Sequence, residues 1–108
     1  MQAAKLLLAA LALAVGSAAA WAQGAGDARK GLRYAEQVCA ECHAVKAGQY
    51  PVPAAGQTFK AIANTPGMTA MALTVFFRTS HRDMPNLVLS DDDRDNVIAY
   101  VLSLRENK

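Results

Sequence analysis

The two cysteines of this chain stand three positions apart in Cys39-Ala40-Glu41-Cys42, and His43 follows the second directly. Four chemistries use such a pair. A thioredoxin-like dithiol places Cys-x-x-Cys at a strand-to-helix junction, and no strand pattern precedes Val38. A structural zinc site needs four nitrogen or sulfur ligands, and after Cys39, Cys42 and His43 the chain offers only the distant, poorly spaced His81. A bare disulfide between Cys39 and Cys42 would close a loop of a few residues, and the entropic gain from cross-linking grows with loop length, so it would stabilise little. The fourth chemistry is covalent attachment of haem, for which Cys-x-x-Cys-His is a direct signature. Thiols at i and i+3 of a helix lie on one side about one turn apart, within reach of the two vinyl groups on one porphyrin edge. His43 is then carried beneath the ring with its imidazole facing the iron. The five-residue pattern favours this reading over the other three.

An iron held by His43 has a second face, and its occupant decides between electron transfer and reaction with small molecules. The candidates are Met68, Met71, Met84 and His81. Met84 lies in the aperiodic stretch HRDMPN, where Pro85 fixes the backbone and pushes Met84 towards extended geometry. It is the expected ligand. Met71 falls within a helical pattern and is expected to pack in the core, and Met68, beside Gly67, to fill a helix start. His81 is the rival, since neutral imidazole is a good iron ligand.

The elements that must hold these residues are helical. Asp27 is placed to cap a helix over residues 28 to 42, with Ala28, Gly31, Leu32, Ala35 and Val38 on one face. Residues 44 to 57 carry two prolines and two glycines without a period and read as a long loop, which in a compact domain usually has a job. A short helix is expected over 58 to 63, a turn at Asn64-Thr65-Pro66-Gly67, and a helix over 69 to 79 that is apolar on most faces. A second loop covers 80 to 89. The clearest helix follows it: Ser90 caps, Asp91, Asp92 and Asp93 fill the first turn, and Val97, Ile98, Val101 and Leu104 form the stripe. No alternating strand pattern appears, so the fold class is all-α, with three to four helices.

Residues 1 to 22 open with Lys5, run apolar from Leu6 to Val15 and close on Ala20-Trp21-Ala22, the pattern of a cleaved secretory signal peptide. The apolar run is shorter than the roughly 20 residues a spanning helix needs. The expectation is therefore export to the periplasm, no membrane span after cleavage, and a single domain over residues 23 to 108. A domain so small has a marginal core unless something staples it, and a haem would supply the missing apolar mass. The net charge of +2, part of which is Lys5, is not the balance of a nucleic-acid-binding protein.

From about Gly26 to the C-terminus the chain resembles the small soluble class I cytochromes c: an N-terminal helix runs into Cys39-Ala40-Glu41-Cys42-His43, Met84-Pro85 comes later, and an amphipathic helix ends the chain. The resemblance implies a cytochrome c fold around one covalently bound haem c, with Cys39 and Cys42 as attachment points and His43 and Met84 as axial ligands. It implies a carrier of single electrons between transient redox protein partners rather than an enzyme. Two alternatives stay open: a cytochrome subunit of a periplasmic dehydrogenase, and a haem enzyme or gas-binding protein with an open distal site. In the family the first and last helices cross closely, a glycine against an aromatic, and Gly31 and Tyr100 match those roles. The family also has a proline whose carbonyl accepts a hydrogen bond from the axial histidine. Pro51 and Pro53 are candidates here, but the segment before Phe59 reads Gly56-Gln57-Thr58, a departure that leaves the acceptor open. Lys46, Lys60, Arg78 and Arg82 are expected near the exposed haem edge, as a basic rim for an acidic partner.

Overall fold

A computed structural model describes residues 25–50, 56–84 and 87–107. The proposed leader, Pro51, Pro53 and Pro85 lie outside the described residues. Four helices are present among them: α1 (Ala28–Val38), α2 (Phe59–Ala63), α3 (Ala70–Arg78) and α4 (Asp91–Ser103). The described residues hold no strand, and an isolated bridge between His81 and Met84 is their one β feature.

Each helix starts on a side chain that accepts orphan backbone N–H groups. Asp27 accepts from Arg29 and Lys30 at 2.9 and 3.1 Å, and the Lys30 N–H in particular holds its carboxyl below the usual range. Thr58 accepts from Ala61 at 3.1 Å, Thr69 from Ala72 at 3.0 Å and Ser90 from Asp93 at 3.1 Å. Ser90 also donates to the Asp93 carboxylate at 2.8 Å.

α1 stops at Val38 rather than running to residue 42. The N–H groups of Cys39 and Ala40 both converge on the Ala35 carbonyl, at 2.9 and 3.0 Å, which ends the regular ladder. A tight turn follows, in which Cys42 and His43 donate to the Cys39 carbonyl at 3.2 and 2.9 Å. The cysteines are therefore still one turn apart, but in the turn that closes α1.

α4 is the centre of the fold, with α1, α2 and α3 all packed on it. Its run from Val97 to Val101 is buried on every side, more than the stripe expected of a surface helix. α1 approaches most closely at Gly31, where a Cβ would overlap the Asn96 carbonyl and meet the Tyr100 Cβ at 2.8 Å. Just before α1, the Asp27 N–H donates to the Asn96 side chain at 2.7 Å. Tyr100 is 7% exposed, and its hydroxyl donates to the Val45 carbonyl at 2.5 Å. The tail beyond α4 is tied to the turn after α2, because the Asn64 amide donates to the Leu104 carbonyl at 3.2 Å and accepts from the Glu106 N–H at 2.8 Å.

The crossing leaves no room for a side chain at position 31. Gly31→Val should lower unfolding free energy by about 2–3 kcal/mol, the cost typical of overpacking a closed contact. Denaturant unfolding followed by far-ultraviolet circular dichroism measures it, and wild-type stability would contradict the packing described.

Candidate functional site

The close of α1, the segment before α2, one face of α3 and the turn at 81–84 surround an apolar cleft of about 620 Å³. Cys39, Cys42, His43 and Met84 all line it, so the structure brings the four sequence-predicted site residues together. Met68 and His81 line it too. Met71 does not behave as expected: it is 71% exposed on α3, outside both the cleft and the core. The helix places it on the outer face because Ala72, Leu73 and Phe76 are the positions that turn to the cleft. The core itself forms part of the wall, through Phe59, Leu73 and Val101.

Cys39 and Cys42 are free thiols, the first buried and the second exposed. Burial pushes the Cys39 thiol up to about 11. It is therefore protonated at neutral pH, whereas redox-active and metal-binding cysteines act as thiolates. Among the described residues no group of three or more His, Cys, Asp or Glu is placed to hold a metal ion.

His43 is held on several sides. Its Nδ1 lies 2.5 Å from the Gln57 carbonyl. A carbonyl only accepts, so Nδ1 carries the proton and Nε2 is left with its lone pair. The Phe59 ring packs beside the imidazole at 5.4 Å between centroids, and Gly56 lies so close that a Cβ there would overlap the ring. Gln57 takes its position from its neighbours, since Thr58 caps α2 and the Phe59 N–H donates to the Ala44 carbonyl at 3.0 Å. The orienting acceptor left open by the sequence is therefore the Gln57 carbonyl. Gly56 was missed as a site residue; a glycine in the segment before Phe59 was the one usable sign of close approach.

These residues fit a haem. The cleft is large and mostly apolar, two thiols lie in its wall, and an imidazole whose Nε2 keeps its lone pair and a thioether line it as well. Such a second-shell bond to Nδ1 orients an axial histidine and raises its basicity. His81 is less free. Its ring stacks on Phe76 at 3.7 Å between centroids, and its Nε2 lies 3.0 Å from the Thr79 hydroxyl.

The expected basic rim is reduced. Lys46 pairs with Glu36 at 2.6 Å and Lys60 with Glu106 at 2.7 Å. Arg78 and Arg82 have no such ion pair among the described residues, and Arg82 lines the cleft. Arg94, which the sequence reading passed over, is buried on α4 with Asp91 at 2.7 Å, and its Nε has no partner.

The family described as cytochrome c oxidase, cbb3-type, subunit III matches residues 26–101. The chain is also similar to cytochrome c-552 of Bradyrhizobium diazoefficiens, with 36% identity over 95 residues that cover 88% of this chain and 90% of that protein. No solved structure matches the chain significantly.

A methyl group at position 56 would collide with the imidazole. Gly56→Ala should break the Nδ1–H bond to Gln57 in the haem-loaded protein. Nitrogen-15 NMR of the His43 ring reads this directly: the slowly exchanging Nδ1 proton of wild type should exchange rapidly in the variant, and an unchanged signal would contradict the cradle.

Proposed function

Since the chain belongs to the c-type cytochrome family described as cytochrome c oxidase, cbb3-type, subunit III, and is an electron carrier with covalently bound haem c, we propose that it works in the periplasm as a monohaem shuttle with His43 and Met84 as axial ligands. Cys39 and Cys42 are the proposed attachment points. The observation that carries this reading is the single cleft shared by Cys39, Cys42, His43 and Met84. The match to cytochrome c-552 over 90% of that protein's length supports a small, free-standing carrier. Residues 1–22 are proposed to be a cleaved export signal, and residues 23–108 the single working domain. Among the described residues no helix is long and apolar enough to cross a membrane.

Bound haem supplies a one-electron ferric/ferrous couple whose potential depends on the axial ligands and their surroundings. The chain's residues set those conditions. His43 presents Nε2 while Gln57 fixes its tautomer through Nδ1. Phe59, Leu73, Phe77 and Val101 keep water from the buried side of the cleft. A methionine thioether favours the ferrous state and raises the potential. Arg78 and Arg82 provide positive charge for encounter with an acidic redox partner, in a small and short-lived contact.

Two outcomes test this. Expressed with a haem-ligation system, the protein should retain one haem in its intact mass after denaturation, and a free-thiol count of two would contradict attachment at Cys39 and Cys42. Arg82→Glu should slow reduction by the native donor several-fold at low ionic strength, with the difference fading once charges are screened over roughly 8 Å at physiological salt. Stopped-flow rates across a salt series check it, and equal rates at the lowest salt would remove this rim from the docking surface.

A further inference from the structure

His81 is three residues before Met84, and the two are joined by the bridge that closes the 81–84 turn. The histidine is anchored to the end of α3. Its ring stacks on Phe76 with 3.7 Å between centroids and 15° between planes, and Phe76 meets Phe77 edge-on at 6.0 Å. The Nε2 atom lies 3.2 Å from the Phe76 carbonyl and 3.0 Å from the Thr79 hydroxyl. Because the Phe76 carbonyl only accepts, Nε2 carries the proton. The Thr79 hydroxyl, which donates to the Val75 or Phe76 carbonyl at 3.1 Å, keeps a lone pair for the same N–H. The imidazole thus adds a donor at the C-terminal end of α3, to a Phe76 carbonyl that also accepts from the Thr79 N–H at 3.2 Å, and ties residue 81 to the last turn of the helix.

We infer that His81 is a positioning residue that holds the Met84 thioether in the cleft by fastening the 81–84 turn to α3. This rests on the proposed ligation by Met84 and adds to it the reason the loop stays closed. α3 forms a wall of the cleft through Ala72, Leu73 and Phe76. A turn stacked on and bonded to its last residues moves with that wall, whereas a loop without the anchor would open more often.

The test uses the rate at which cyanide binds the oxidised haem protein, a reaction that requires Met84 to leave the iron. His81→Phe keeps an aromatic ring for Phe76 and removes the N–H. It should speed cyanide binding by about 3- to 10-fold, the range expected when the net contribution of one or two hydrogen bonds is lost. The far-ultraviolet circular dichroism and the reduced spectrum should remain those of wild type. Met84→Ala should bind cyanide faster still, and adding His81→Phe to Met84→Ala should change nothing, because a residue acting through Met84 has no further effect once Met84 is gone. Additive effects in the double variant, or a wild-type rate in His81→Phe, would overturn the inference. Loss of the six-coordinate spectrum in His81→Phe but not in Met84→Ala would overturn it too, by making His81 the ligand. Failure of Met84→Ala to accelerate cyanide, with His81→Phe also like wild type, would instead locate the failure in the Met84 ligation itself.

Discussion

The contact of Gly31 with Asn96 and Tyr100 fixes the geometry on which the site depends. With no side chain at position 31, α1 lies against the backbone of α4, and the end of α1 can point to only one place. Tyr100 carries that constraint onward. Its Cβ faces Gly31, its hydroxyl holds the Val45 carbonyl, and its ring packs near Phe59 at 6.3 Å between centroids. Val45 follows the Cys39–His43 turn, and Phe59 borders the His43 ring. One buried tyrosine thus links the helix crossing to both chain segments that hold the imidazole.

The second organising fact is that core and cleft share their walls. Phe59, Leu73 and Val101 belong to the buried cluster and also face the cleft. Small domains bury a lower fraction of their surface than large ones and are correspondingly marginal. A large apolar group in the cleft therefore completes the core as well as the site, so binding and folding are coupled. Removing the group would expose those walls to water.

The helices were legible because capping is local. Asp27, Thr58, Thr69 and Ser90 each satisfy N–H groups two or three residues away, and that chemistry is visible in a short window of sequence. The covalent motif was legible for the same reason. The end of α1 was not, because it depends on two N–H groups competing for the Ala35 carbonyl. Met71 was misplaced since a helix apolar on most faces gives no sign of which face turns outward. Lys46 and Lys60 were expected to be free charges, but their partners Glu36 and Glu106 lie 10 and 46 positions away, beyond any local pattern. The acceptor for the His43 ring is the Gln57 carbonyl, a contact no local pattern announces, and the Thr58 cap and the Phe59–Ala44 bond hold the residues beside it.

The central claim is that Met84, rather than another side chain of the cleft, completes the coordination of iron held by His43. Methionine labelled with carbon-13 at the methyl group gives the most direct measurement, because a methyl lying on the iron of a reduced haem sits in the strongest part of the ring current. In the spectrum of the reduced protein one methyl resonance should move far upfield of the other methionines and should vanish in Met84→Leu. A shifted methyl that survives this substitution and vanishes in Met68→Leu, or a spectrum with no shifted methyl, would contradict it.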